Sequence, residues 1–211
     1  MSDEKTILWT RQDERSLLDL EKYGVFRNKE EYIRANYDDI SYHFISAYKW
    51  FTNEASKRVP KPEGVEFPIW CSISEDSMLR PIEGTVCYKI EIPNKDIIYF
   101  DGAKWDYVLN HIYIPKDDAD QEEYVKELRE KGFKDQFNFI EGKTAHFYPL
   151  EKQRVMDSWK RIFEIEEWNI FVVQANIWEI KKDQIIEIFR FKSQITDHNS
   201  QLRKDSSTCS E

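Results

Sequence analysis

Strict alternation of apolar and polar side chains is clearest over residues 86–92, where every second position from Val86 to Ile92 is apolar. That period of two predicts a strand with one buried face. Shorter apolar runs over residues 6–10 and 66–73 predict two further strands. Pro68 lies inside the second run and places it at the start of a strand or at a sheet edge, because proline cannot donate to a strand ladder.

Two apolar runs near the end of the chain predict a closing β-hairpin. They cover residues 171–180 and 184–191, and the three residues between them are Lys181, Lys182 and Asp183. A connection of this length and polarity is typical of a hairpin loop.

Helical spacing of apolar residues predicts helices between the strands. The clearest covers residues 39–57 and must end before Pro60 and Pro62, which cannot continue a helix. A second opens near Asp13 and ends at Gly24, a residue type common just past a helix C-terminus. Further helices are expected over residues 104–111, 122–131 and 151–163.

Short strands interleaved with helices, without strict βαβ alternation, predict an α+β fold. We expect a single domain over residues 1–192, with a mixed, mostly antiparallel sheet and flanking helices. Residues 193–211 are polar and are expected to form a disordered tail.

Composition narrows the function classes. The aromatic content of 15% excludes a disordered chain, and a formal net charge of −9 disfavours tight non-specific binding to nucleic acid or to anionic membranes. No apolar run approaches the roughly 20 residues of a membrane span, and the first residues lack the pattern of a secretory signal. Three widely spaced cysteines are typical of reduced thiols. We expect a cytoplasmic protein.

Familiar catalytic and nucleotide-binding motifs are absent from the sequence. There is no glycine-rich phosphate loop, no HExxH, no GxSxG and no CxxC, and the four histidines lack metal-ligand spacing. We therefore expect no metal cofactor.

The tryptophans allow two interpretations. Trp9, Trp70 and Trp178 lie in or beside predicted strands, where burial in the core is the commoner role of large aromatic side chains. Alternatively they wall a cleft in which a flat ring stacks, and neighbouring polar side chains orient the ligand. Those neighbours are Thr10, Gln12, Gln174 and Asn176.

Nearly the whole chain, to about residue 191, resembles a bacterial family known only as domain-of-unknown-function family 3841. The resemblance rests on ordered segments, and it implies no established activity. The segments are Leu8-Trp9-Thr10, Phe67-Pro68-Ile69-Trp70, Met78-Leu79-Arg80, Ile90-Glu91-Ile92-Pro93, Trp105, Ser158 to Phe163, Gln174-Ala175 and Trp178-Glu179.

A more distant similarity is to the DarT-type ADP-ribosyltransferases, which use NAD to modify DNA. Their His-x-Thr strand, helix ending in glycine, Ser-Pro-Met-Leu, Phe-Ser-Asp-Gly and Gln-Ala-Glu motifs have counterparts here in the same order. The counterparts are Leu8-Trp9-Thr10, Gly24, Ser77-Met78-Leu79, Tyr99-Phe100-Asp101-Gly102 and Gln174-Ala175-Asn176.

This similarity implies an ADP-ribosyltransferase-like fold and NAD as the substrate. ADP-ribose would pass to a nucleic-acid or protein acceptor, or NAD would be hydrolysed, in a toxin or phage-defence effector that has an antitoxin partner. Catalysis would fall to Thr10, Gln174 and Glu179. The NAD-binding residues would be Trp9, Thr10, Gln12, Trp70, Arg80, Asp101 and Asn176.

Two departures bear on catalysis. The family's histidine falls on Leu8 and its glutamate on Asn176, which cannot carry the negative charge that stabilises an oxocarbenium-like state. That loss alone costs on the order of 10²–10³ in rate. Glu179 is the substitute, but alternation places it on the opposite face from Gln174 and Asn176 unless a bulge intervenes.

Three functions stay open at this point: an enzyme, a catalytically silent nucleotide-binding module, and a protein-interaction domain with no pocket. In a decayed enzyme, Asn176→Glu would create activity. Arg80 suits a pyrophosphate but equally suits a surface ion pair, and Asp101 equally suits a turn.

Overall fold

A computed structural model describes residues 4–37, 41–134, 136–140 and 145–191. The strands are β1 (Lys5–Asp13), β2 (Val25–Phe26), β3 (Ile69–Ser72), β4 (Thr85–Pro93), β5 (Ile98–Asp101), β6 (Val173–Ile177), β7 (Ile180–Lys181) and β8 (Ile185–Arg190). The α-helices are α1 (Ser16–Tyr23), α2 (Glu30–Tyr37), α3 (Ser41–Ser56), α4 (Gly102–Leu109), α5 (Asp118–Glu130), α6 (Phe137–Ile140) and α7 (Pro149–Ser158). A 3₁₀ helix, Trp159–Phe163, follows α7 directly.

Six strands form one antiparallel sheet in the order β5-β6-β3-β1-β4-β8, while β2 and β7 pair separately. The longest ladder joins β1 to β4 over nine residue pairs, from Lys5↔Pro93 to Asp13↔Thr85. By contrast, β1 and β3 share the single pair Trp9↔Ser72. The α+β fold with a mostly antiparallel sheet and flanking helices is therefore confirmed.

The predicted closing hairpin is wrong. β6 lies between β3 and β5, whereas β8 pairs with β4 at the opposite edge of the sheet. The chain leaves β6, pairs residues Ile180–Lys181 with β2, turns through the 3₁₀ helix Lys182–Gln184 and then crosses to β4. The short polar segment after β7 therefore carries the chain from the small sheet to the large one and is not a hairpin loop.

Alternation gives the large sheet two differently covered faces. The first face, which carries Leu8, Cys71 and Tyr88, packs against Leu20 of α1 and Phe26 of β2. Over β5, β6 and β3, the second face lies in a core formed by helices α3, α4 and α7 and the 3₁₀ helix Trp159–Phe163. The second face of β1 and β4 carries a small separate cluster of Trp9, Met78 and Cys87.

Several local predictions are confirmed. Gly24 ends α1 with a positive φ of 71°, and Pro68 directly precedes β3, although β3 is an internal strand. Helices α3, α4 and α5 match three predicted helices, although Asp39, where the first was expected to begin, lies outside the described residues. Tail residues 193–211 also lie outside them. No helix of the described part is long and apolar enough to cross a membrane.

Candidate functional site

A cavity opens where β1 and β3 diverge beyond their single register pair, Trp9↔Ser72. Its volume of about 590 Å³ falls within the range of small-molecule sites, roughly 300–1,000 Å³. Residues from both faces of the sheet line this Trp cavity. They are Trp9 to Asp13, Phe26, Asn28, Tyr32, Tyr48, Trp70 to Ser72, Ser77, Leu79, Ile82, Thr85 and Gln174.

Thr10 holds the strands at the point where they diverge. Its buried hydroxyl donates to the carbonyl oxygen of Trp70 at 2.6 Å and accepts from Nε2 of Gln12 at 2.7 Å. The Thr10 hydroxyl thus takes the place of a main-chain donor from a paired strand. The Trp70 carbonyl keeps a hydrogen bond although the two strands separate. Gln12 is thereby oriented beside the cavity.

An aromatic wall closes the cavity on the second face. The Trp70 ring meets Tyr48 edge-on at 4.6 Å and lies 5.3 Å from Phe51, so packing on two sides fixes its orientation. Trp9 is 9% exposed, and the indole N–H groups of Trp9 and Trp70 have no hydrogen-bond partner among the described residues. This wall offers flat apolar surface of the kind on which a planar ring stacks.

Gln174 reaches the cavity beside a glycine. A Cβ on Gly102 would lie 2.8 Å from the carbonyl oxygen of Val172 and 3.0 Å from Nε2 of Gln174, so only glycine allows this approach. Asp101, which precedes it, caps α4 by accepting the backbone N–H of Lys104 at 2.9 Å. Asp101 is thus a helix cap and does not line the cavity.

Three other predicted site residues lie elsewhere. Asn176 is fully buried inside the sheet, and its Nδ2 donates to the carbonyl oxygen of Ile69 at 3.2 Å. Glu179 lies beyond the end of β6 and does not line the cavity; its Oε2 forms an ion pair with Nη2 of Arg27 at 2.9 Å. Trp178 is buried and donates its indole N–H to the carbonyl oxygen of Val59.

Arg80 is exposed and lies beside the cavity without lining it. Its carbonyl oxygen accepts from Nη1 of Arg11 at 3.2 Å. Arg11, which the sequence interpretation missed, is the arginine that lines the cavity. The signal was present, because Arg11 lies two residues after Trp9 and therefore on the same face of β1.

Asp13 supplies the one carboxylate among the described lining residues. Arg15 binds it with its backbone N–H and with two guanidinium nitrogens, at 2.8–2.9 Å. These bonds lower the pKa of Asp13 below its ordinary value. Asp13 is therefore charged at neutral pH and already paired. Among the described residues no cluster of His, Cys, Asp and Glu could hold a metal ion.

Comparison with known families bears on this geometry. Residues 7–186 match the family described as "Domain of unknown function (DUF3841)". The chain belongs to this family. No curated protein and no solved structure matches it. The similarity to DarT-type ADP-ribosyltransferases has no support from these comparisons and stays a resemblance of short motifs.

Within this family member, one buried cysteine lines the cavity. Burial raises the pKa of Cys71 and also that of Cys87, which reaches about 11. Thiolate is the reactive form, so neither side chain is a nucleophile near neutral pH.

We expect Cys71 and Cys87 to resist alkylation by iodoacetamide at pH 8 in the folded protein and to react in guanidinium. A Cys209→Ser background leaves these two thiols as the complete set, and mass spectrometry counts the labels. Labelling of Cys71 in the folded state would show that the cavity exposes this thiol.

Proposed function

We propose that the protein binds NAD or a related nucleotide in the Trp cavity, as an ADP-ribosyltransferase-like domain. One observation carries the proposal: five residues predicted from the sequence to form the site line one cavity of suitable size. They are Trp9, Thr10, Gln12, Trp70 and Gln174. A protein-interaction domain with no pocket fits this arrangement poorly.

The lining suits the parts of a nucleotide. Trp70 and Tyr48 offer stacking surface, while Gln12 and Gln174 carry amide groups that both donate and accept hydrogen bonds. No hydrogen bond engages the side chain of Gln174 among the described residues, so its amide is available to a ligand. Mostly apolar walls with a few directed polar groups are characteristic of small-molecule sites.

Catalysis is the stronger form of this proposal. In ADP-ribose transfer, the bond between nicotinamide and ribose breaks, nicotinamide leaves with the electron pair, and an acceptor nucleophile bonds to the ribose carbon as it loses its proton. A carboxylate near that carbon stabilises the positive charge that develops there. Thr10, Gln12 and Gln174 bind and orient but supply no such charge.

The position of the carboxylates favours a second candidate, a nucleotide-binding module without turnover. Asp13 is bound by Arg15, and Glu179 is paired with Arg27 outside the cavity. Nucleotide binding with no release of nicotinamide would support this candidate. Labelled NAD with DNA, RNA and protein acceptors separates the two, since a labelled acceptor or free nicotinamide would establish the enzyme.

We expect Gln174→Ala to weaken NAD binding about tenfold with little change in stability, because it removes the free amide from the cavity wall. Isothermal titration calorimetry on the full chain measures the affinity. Gln153→Ala, on the exposed surface of α7, is the matched control and should bind NAD like the unaltered protein. An unaltered protein that does not bind NAD would refute the proposal.

A further inference from the structure

We propose that Arg11, with Arg80 and Lys89 beside it, forms an anion subsite at the Trp cavity that takes the diphosphate of the bound nucleotide. The inference rests on the proposed nucleotide function and adds the residues that hold the diphosphate, which would make the cavity prefer a nucleotide to a nucleoside. Arg11 is the central residue because its side chain lines the cavity.

Strand register places the cations together on the second face. Arg11 pairs with Cys87 and Lys89 pairs with Trp9 in the β1–β4 ladder, so the two cations lie diagonally across one block of four residues. Diagonal neighbours of this kind are about 7–8 Å apart, within reach of long side chains. Lys89 extends over the Trp9 ring, with its Nζ 5.7 Å from the ring centre.

Arg80 approaches the same place from the segment between β3 and β4. Its carbonyl oxygen accepts from Nη1 of Arg11, which orients the guanidinium and uses one of its five N–H donors. Arg11 keeps the remaining donors for a ligand, and a planar guanidinium suits the paired oxygens of a phosphate.

No ion pair joins Arg11, Arg80 or Lys89 to a carboxylate of the described residues, although the chain has 40 acidic and 31 basic side chains. The nearest acidic neighbour on β1, Asp13, is bound by Arg15. On β8, Glu187 pairs in register with Lys89 without forming an ion pair.

The positive charges of Arg11 and Arg80 also act on the buried Cys87 thiol. Burial raises the pKa of the Cys87 thiol to about 11, and the charges of Arg11 and Arg80 oppose that rise. Three other lining residues, Thr10, Gln12 and Trp70, are uncharged. A charged end beside a neutral, aromatic end matches the polarity of a nucleotide, whose phosphates are anionic and whose ring is flat.

The test measures binding of inorganic pyrophosphate, NAD and adenosine to the full chain by calorimetry at low salt. We expect Arg11→Gln to weaken pyrophosphate and NAD binding by about 10- to 100-fold and to leave adenosine unchanged. Arg11→Lys keeps the charge but loses the planar guanidinium, so its affinity for pyrophosphate should lie between those of Arg11→Gln and the unaltered protein. Arg190→Gln is the matched control, since it removes the same charge from the first face, where Arg190 pairs with Val86.

Each outcome decides the inference. Pyrophosphate binding that depends on Arg11 supports it even if NAD fails to bind, in which case the proposed function falls alone. NAD binding that Arg11→Gln leaves within twofold overturns the subsite and keeps the proposed function. Equal losses of pyrophosphate affinity in Arg11→Gln and Arg190→Gln would also overturn it, as would a protein that does not bind pyrophosphate. So would NAD binding that an oligonucleotide inhibits and pyrophosphate does not.

Discussion

Replacing Asn176 with glutamate is expected to destabilise the protein by about 3–5 kcal/mol and to create no NAD turnover. Asn176 is fully buried, and on either side of it lie Trp70 of β3 and Ile98 of β5 in register. A glutamate there adds a methylene to a packed interior and either buries an unpaired charge or binds a proton. Its pKa would therefore be raised by burial.

The pH dependence of this variant follows from that sign. A carboxyl whose folded pKa is raised is neutral in both states at low pH, and the unfolded state ionises first as pH rises. The stability lost by Asn176→Glu should therefore be smallest near pH 4 and increase toward pH 8. Urea unfolding followed by circular dichroism across this range measures the change.

Two control variants make the result specific. Asn53→Glu places the same change on the exposed surface of α3 and should alter the free energy of unfolding by less than about 0.5 kcal/mol. Asn176→Leu removes an Oδ1 that has no partner among the described residues, but it adds volume to a packed site and loses the bond to the Ile69 carbonyl, at a cost of about 1–3 kcal/mol. A stable Asn176→Glu protein that releases nicotinamide would contradict the assignment of Asn176 to the core.

Local patterns predicted the elements whose formation depends on near neighbours. The alternation in β4 gave the correct buried face, since Val86, Tyr88 and Ile90 lie in one apolar cluster. The spacing of apolar residues predicted helix α3. Gly24 was predicted to end α1 because glycine easily adopts the positive φ found there. In each case the information lies within about 20 residues.

Strand order was beyond this kind of information. β8 pairs with β4 across nearly a hundred residues, although a short polar connection favoured pairing with β6. The composition of β8 suits pairing with β4 or with β6. The outcome depends on which edge is free, and β6 has both edges occupied, by β3 and by β5.

The candidate site was predicted in part because it depends on both kinds of information. Thr10 and Gln174 both line the Trp cavity, although β3 lies between β1 and β6. Gln174 belongs to the second-face row of Trp9, Ser72 and Gln174, whereas Thr10 lies on the first face, opposite Tyr88. Glu179 was misplaced because the partner that holds it, Arg27, is 152 residues earlier in the chain.

Phe51→Ala is expected to cost about 3–5 kcal/mol of unfolding free energy, because it removes a fully buried ring and leaves a cavity. Four rings surround Phe51 at centroid distances of 5.2–5.4 Å. They belong to Trp70, Phe100, Trp105 and Phe163. For a chain of this length the midpoint of thermal unfolding should fall by roughly 6–20 °C.

The same change tests the link between this core and the Trp cavity. Phe51 supports Trp70, which lines the cavity, so ligand affinity should fall even at temperatures where the variant is fully folded. Phe171→Ala is the matched control, because Phe171 is 69% exposed and its loss should change stability by less than about 0.5 kcal/mol. If Phe51→Ala lost stability but bound the ligand like the unaltered protein, Trp70 would owe its position to Tyr48 and the strand alone.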